Sequence, residues 1–343
     1  MGERQGFPRL CLGICALLAL AQAQIACARG EDSGSRALYE LERLSFVPAA
    51  SCELPPNGDL TLSLPRSIVF DRFEFTRADL RHYWPERVSR AAALPWSTDA
   101  AQDEASRNDW PASVDFFEAK ELAEARGMRL PRPEEWLHVA VGRVGYTSPW
   151  GSGREFFANT ILLQEGQDFS LKSPCAVGTY ENGRSRPFGC YDLLGNVWEW
   201  VDGVVLGCDP PAEQGLAAEL DDGQGTLTSI VGGAFDSRWR KTFEFDREWS
   251  RLRFHARRVD KRTLSPSIGV RMCADAEAYF WARAPAWGEG PGAAERVRFV
   301  GARWVHEDVR ARAALKALLE AMRARAGAPS QLRWLSEGVE SEP

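Results

Sequence analysis

Residues 191–200 read YDLLGNVWEW, with the carboxylates of Asp192 and Glu199 at either end of a Gly-Asn turn and the glutamate held between two tryptophans. Two chemistries suit that pattern. One is a strand that enters a core after a turn and leaves Glu199 at the surface; the other is a loop supported by a metal. A second reactive-looking stretch is 236–262, DSRWRKTFEFDREWSRLRFHARRVDKR, dense in arginine and tryptophan. Arg238, Trp239, Arg240, Trp249 and Arg253 would line a cleft suited to an extended peptide or an anionic glycan, since Arg and Trp are favoured contact residues. The competing reading is a solvated charged loop with its tryptophans in the core. The histidines are His82, His138, His255 and His306. The sequence holds no C-x-x-C, no G-x-S-x-G and no G-x-G-x-x-G, so a zinc ribbon, a hydrolase elbow and a dinucleotide fold are not indicated.

These residues need a scaffold, and composition bounds it. With 343 residues the chain can bury one large core or two modest ones. A net charge of −6 argues against nucleic acid, which needs a basic face. Thirteen tryptophans among 30 Gly and 20 Pro suit a loop-rich fold pinned by large aromatic side chains. Arg4 and Arg9 precede the short apolar run LCLGICALLALA, and Ala21-Gln22-Ala23 forms an A-x-A cleavage site. Residues 1–23 are therefore read as a signal peptide and the protein as exported, to a periplasm or the extracellular space. The alternative start is a lipid-anchored Cys27, which would make the membrane a partner. Export leaves Cys27, Cys52, Cys175, Cys190, Cys208 and Cys273 in an oxidising compartment, where one or two disulfides are expected. Cys190–Cys273 is the favoured pair.

Residues 24–45 read as a flexible polar leader. DLTLSLP alternates and SIVFDRFEFT is rich in β-formers, so strands are expected there. SVDFFEAKELAEARG predicts a helix with Ser113 as N-cap, one face of Phe116, Ala119, Leu122 and Ala123, and Gly127 as its end. RPEEWLHVAVG predicts another, with Pro133 in its first turn and Trp136, Val139 and Ala140 inward. The helical period then disappears from about 142 to 232, where SPWGSG, ENGRSRPFG, LGN and DDGQG punctuate short segments. Residues 276–343 read as an extension with one amphipathic helix.

Eight motifs run in order: FEFTRADL (73–80), MRLPRPEEW (128–136), SPWG (148–151), FAN (157–159), VGTYENG (177–183), FGCYDLLGNVWEW (188–200), VGGAF (231–235) and IGVRMCA (268–274). Together they resemble the formylglycine-generating enzymes, or sulfatase-modifying factors, over residues 46–275. The resemblance implies an α+β, C-type-lectin-like fold with two helices, small sheets and much irregular chain. It also implies that YDLLGNVWEW wraps a calcium ion. By position Asp192 and Glu199 would give side-chain oxygens and Gly195 and Val197 backbone carbonyls, a donor set that suits Ca²⁺. A second calcium site would begin at Asn159 and Thr160, with Asp168 supplying a carboxylate.

The departure from the family matters as much. Active members hold Cu(I) between two cysteines, whose soft thiolates select that ion. Here the positions fall on Ser237 and Thr242, and no cysteine lies between 208 and 273. Copper is not expected. Iron held by His255 and a further partner is the alternative metal, because His255 is the histidine nearest the altered segment. The sequence therefore predicts an exported, calcium-stabilised domain that binds a protein or glycan without copper oxidase activity. The alternative is a metal-dependent oxidoreductase acting on a protein, by formylglycine formation or another oxidation.

Overall fold

A computed structural model describes residues 33–54, 60–85, 107–142, 148–151, 157–160, 163–164, 167–168, 173–204, 226–237, 243–246, 251–254, 256–288 and 291–341. The chain starts with helix α1 (Ser33–Glu42) and strands β1 (Leu44–Val47), β2 (Ala50–Leu54), β3 (Leu60–Leu64) and β4 (Ile68–Asp71). Residues 33–42 thus form a helix where the leader was expected to be flexible. Ala37, Leu38 and Leu41 bury its inner face, so apolar spacing outweighs the polar composition around them. In β3 the alternation is real: Leu62 and Leu64 are buried while Thr61 and Ser63 are exposed. β4 is buried on both faces, an apolar run of Ile68, Val69 and Phe70 that ends at Asp71, itself paired with Arg126 at 2.7 Å.

Helix α2 (Arg77–Tyr83) follows, capped by Thr76 and Asp79 in a reciprocal capping box. Helix α3 spans Phe116–Ala125 and buries Phe116, Ala119, Leu122 and Ala123, the face that the spacing predicts. Its N-cap is Asp115 rather than Ser113. Asp115 accepts from the Glu118 N–H while Glu118 accepts from the Asp115 N–H, a box that Ser113 cannot close from two residues earlier. Gly127 ends the turn at φ +66°. Helix α4 (Pro133–Val141) has its proline in the first turn and buries Trp136, Val139 and Ala140.

The sheets are small. β1 and β13 (Cys273–Asp275) flank β4, both antiparallel to it. The hairpins β2–β3, β5 (Leu163–Gln164) with β6 (Gln167–Asp168), and β9 (Phe243–Asp246) with β10 (Arg251–Phe254) stand apart. A four-stranded sheet runs in the order β11 (Ala256–Asp260), β8 (Leu227–Val231), β7 (Trp198–Trp200), β12 (Ile268–Gly269). Its β7–β12 pair is parallel and the other two pairs antiparallel.

The C-terminal extension is not one helix but several: α5 (Ala276–Arg283), α6 (Pro291–Glu307), α7 (Ala311–Arg323) and α8 (Leu332–Glu340). Val297, Val300, Trp304, Leu315, Leu319, Leu332 and Leu335 join the same core cluster as α1 and α3. Arg303 and Trp304 donate to the Leu44 carbonyl at 2.6 and 2.7 Å, and Arg283 meets Glu40 at 2.6 Å. The extension is thus bound to the start of the chain and shares its core. Cys190 and Cys273, favoured as a disulfide, are both buried free thiols. Burial pushes the Cys190 thiol up to about 11, and Cys273 well above its ordinary value, so both are held protonated. Among the described residues no helix is long and apolar enough to cross a membrane.

Glu135 ties the entry of α4 to β13. Its carboxylate, 3% exposed, takes bonds from Arg129 at 2.6 and 2.7 Å and from the N–H and guanidinium of Arg132, both at 2.9 Å. Burial opposes its charge, but these donors hold the carboxyl down to about 2. A depressed carboxyl contributes stability that is present above the unfolded value of 4.5 and is lost as pH falls toward 2. Glu135→Gln is therefore expected to cost roughly 1.5–3 kcal/mol at pH 7. The deficit should shrink steadily in urea titrations repeated from pH 5 down to pH 3.

Candidate functional site

Glu199 occupies the middle of β7, whose three residues are all buried, so the glutamate does not reach the surface. Its counter-charge is Arg271, fully buried on the segment after β12. Arg271 Nη2 donates to Glu199 Oε1 at 2.8 Å and Nε reaches both carboxylate oxygens at 3.1 Å. The Trp136 indole of α4 donates to Oε2 at 2.6 Å. Arg271 spends its other donors on the Asp71 and Tyr191 carbonyls, at 3.0 and 2.7 Å. Burial works against the Arg271 charge, yet Glu199 raises its pKa above the ordinary value. Three motifs that are distant in sequence, MRLPRPEEW, FGCYDLLGNVWEW and IGVRMCA, meet in this arrangement.

Two further carboxylates lie behind the pair. Glu74, fully buried, accepts from the Asn196 side-chain amide at 2.5 Å and from the Val197 N–H at 3.1 Å. Burial raises its pKa well above the carboxylate range, and the charges of Asp192 and Glu199 add to the rise. Asp192 accepts from the Gly178 N–H at 2.6 Å. Burial lifts it to about 6, against the opposing pull of that N–H and Arg271. Three buried acidic side chains therefore surround a single guanidinium. The loop between them is tightly curled, with Asp192, Gly195 and Asn196 at φ +54°, +88° and +61°. At Gly195 a Cβ would collide with the Asn159 carbonyl and the Thr160 methyl, so only glycine lets the two segments meet.

That contact joins the two calcium sites expected from the sequence. The Asn196 N–H donates to the Asn159 carbonyl at 2.8 Å, and the Asn159 amide to Asn196 Oδ1 at 3.2 Å. Asn159 Oδ1 and Thr160 Oγ1 are buried without a hydrogen-bond partner. Asp168 lies in β6 opposite Leu163, and its side chain falls outside the described residues. Cys175 packs here too, its N–H bonded to Asn196 Oδ1 at 2.9 Å. Burial pushes that thiol up to about 12.

The segment that carries copper ligands in active relatives adjoins the same loop. The Gly195 N–H donates to the Gly232 carbonyl and the Phe235 N–H to the Asn196 carbonyl, both at 3.0 Å. Ser237 is buried, and its hydroxyl accepts from the Ala234 N–H at 3.0 Å while its own N–H returns to the Ala234 carbonyl at 2.9 Å. It closes a local turn. Thr242, His255, Arg238, Trp239, Arg240 and Trp249 lie outside the described residues, and Arg253 is described only as a backbone position in β10. The sequence gives Glu74 and Arg271 no role, and Trp136 only a place on the inward face of its helix. The available signal was their presence inside FEFTRADL, MRLPRPEEW and IGVRMCA, which supplied unassigned charged and indole groups beside the motif that lacked a counter-charge.

With this geometry in place, the sequence comparisons become informative. A sulfatase-modifying factor enzyme 1-like domain model matches residues 53–277. Hercynine oxygenase of Mycolicibacterium smegmatis is 33% identical over 130 residues, 34% of this chain and 29% of its own length. The formylglycine-generating enzyme of Mycobacterium tuberculosis is 30% identical over 161 residues, 41% of this chain and 52% of its own. The inactive C-alpha-formylglycine-generating enzyme 2 of Bos taurus is 35% identical over 98 residues, 26% of this chain and 31% of its own. The chain thus spans at most about half the length of these curated relatives. Among solved structures, PvdO from Pseudomonas aeruginosa aligns with a TM-score of 0.44 and 18% identity, over 68% of this chain and 94% of that one.

Removing one partner of a buried ion pair strands the other charge, which costs on the order of 3–5 kcal/mol. Arg271→Met is expected to lose that much in urea unfolding. Arg271→Met combined with Glu199→Gln should recover part of the loss, since neither charge is then stranded. A double variant no more stable than the single one would argue against the pair as the central contact.

Proposed function

The chain belongs to the sulfatase-modifying factor enzyme 1-like family, and from that premise we propose that it is an exported, calcium-stabilised domain that binds a protein or glycan partner without copper oxidase activity. Ser237 carries this reading. At the position of a copper-binding thiolate it offers a buried hydroxyl already engaged by the Ala234 N–H. A hydroxyl is a hard, weak ligand for Cu(I). Thr242 takes the other position. The printed name of the bovine relative, an inactive formylglycine-generating enzyme, is in keeping with a family fold kept without the oxidase.

Calcium suits the donor chemistry of the 192–199 loop. Crowding three buried carboxyl groups around one guanidinium disfavours their ionisation, a penalty that a divalent cation would remove. The unpartnered Asn159 Oδ1 and Thr160 Oγ1 are hard oxygens of the kind Ca²⁺ prefers. Asp192, the Gly195 and Val197 carbonyls, Asn159 and Thr160 would hold the ion. Glu199 would then act mainly through its charge, because Arg271 and Trp136 already occupy its carboxylate. A bound ion here would supply charge neutralisation and rigidity. The curled backbone does the rest by keeping the carboxylates together.

The second reading is a metal-dependent oxidoreductase. What favours it is that hercynine oxygenase and formylglycine-generating enzyme are among the printed names of the relatives. Iron would need His255, which lies outside the described residues, and further ligands.

Mass spectrometry of metals in the purified full chain distinguishes the two. Calcium near one per chain with only background copper and iron is the expected result. Chelation should lower the melting temperature, and calcium should restore it, by about 2.7 kcal/mol once free calcium is 100 times its Kd. Asp192→Ala should abolish that calcium response. Copper or iron approaching one per chain, with oxidation of a cysteine in a sulfatase-type peptide, would overturn the proposal.

A further inference from the structure

Strand β11 is an edge of the four-stranded sheet, bonded to β8 on one side only among the described residues. Its hydrogen-bonding phase follows from the neighbouring contacts. The Lys261 N–H donates to the Thr226 carbonyl at 3.0 Å, and Ser229 of β8 uses its N–H and carbonyl toward Gly203 and Val201 of the β7 side. By alternation, Arg257 and Val259 bond to β8, and the backbone N–H and C=O of Ala256 and Arg258 face outward. The Asp260 carbonyl is taken by the Thr263 N–H, which marks the end of the open edge.

This edge is strongly cationic in a chain of net charge −6. Residues 256–262 hold Arg257, Arg258, Lys261 and Arg262 against Asp260 alone. Among the described residues, no carboxylate forms an ion pair with Arg257, Arg258 or Arg262. Arg258 Nε is shielded from solvent with no hydrogen-bond partner. The Arg257 guanidinium lies 5.1 Å from the centroid of the Trp198 ring in β7, so it leans back over the sheet and away from the open edge. At the far end of the strand, the Phe116 N–H binds the Lys261 carbonyl at 3.0 Å, bringing the chain of exposed Phe117 alongside.

We propose that the open edge of β11 receives an extended acidic peptide of a partner protein as an added strand. Main-chain bonds to Ala256 and Arg258 supply the affinity, and carboxylates meeting Arg258 and Arg262 supply the choice of partner. A second copy of this chain is disfavoured, because edge-to-edge pairing sets arginine against arginine. A glycan leaves the outward N–H and C=O row unused. The inference rests on the binding-domain reading and narrows its partner to an acidic strand.

The test uses the purified full chain and a fluorescent peptide of alternating glutamate and valine, followed by anisotropy. Binding is expected, weakened about tenfold by Arg258→Glu and similarly by Arg262→Glu, which lies in a turn and leaves the sheet intact. The same peptide N-methylated at alternate residues should lose binding, because it cannot complete the ladder. Undiminished binding of the N-methylated peptide would overturn strand addition. A sulfated heparin-type oligosaccharide that binds instead, with the same arginine dependence, would overturn the peptide occupant and leave the binding-domain reading standing. Failure of both probes would overturn this inference alone, since the metal content decides the broader reading independently.

Discussion

A carboxylate buried between two tryptophans is stable only beside an opposite charge, and the Glu199–Arg271 pair is the constraint around which the central part of this fold is organised. Desolvating both ions costs several kcal/mol each, so the geometry must recover much of that through hydrogen bonds. It does so with parts from the whole domain. Trp136 comes from α4, the Asp71 carbonyl from the end of β4, the Tyr191 carbonyl from the loop, and Glu199 itself from β7. Because each is fixed by its own element, the ion pair reports on their joint placement. Small sheets and irregular chain suffice here, since the planar donors of one guanidinium tie its own segment to β4, the loop and β7 at defined angles.

The pair does not balance the site. Glu74 and Asp192 add two buried carboxylates, and both are shifted toward the neutral form by burial and by their neighbours. Nearby, Asn159 and Thr160 bring two buried oxygens with no partner. Satisfied polar networks rigidify a core, whereas orphaned groups and like charges are costly. A cation resolves both at once, which is why the calcium reading gains from geometry that the sequence motif alone did not contain. The same geometry changes the role of Glu199, whose lone pairs are already committed to Arg271 and Trp136.

What was legible in the sequence was whatever depends on local spacing. The buried faces of α3 and α4, the alternation of β3 and, among the described residues between 143 and 232, the absence of α-helix follow from periodicity and turn chemistry. Groups that act across the fold were not legible. Nothing near FEFTRADL says that Glu74 will face Asn196, and nothing near IGVRMCA says that Arg271 will meet Glu199, because those contacts are set by the parallel β7–β12 pair and by β4. The Cys190–Cys273 expectation failed for a related reason. Each thiol flanks a shared motif, but sequence proximity to a motif does not bring two Cβ atoms to disulfide distance. The polar residues 33–42 and the several helices after 276 were misjudged because each half of their shared core looks marginal alone.

That shared core separates two kinds of residue in the domain. Loop 192–199, Ser237 and the ion pair sit inside a framework whose hydrogen bonds run through backbone amides and buried side chains. Exchanging a thiolate for Ser237 leaves the turn at Ala234 closed, because the hydroxyl accepts the same N–H and needs no metal to stay ordered. The scaffold can therefore survive loss of the copper ligands without loss of the fold. The surface is freer still. Arg258 and Arg262 at the rim of β11 carry none of the central pair, so their charge can be selected for a partner, or against self-pairing, at little expense to the interior.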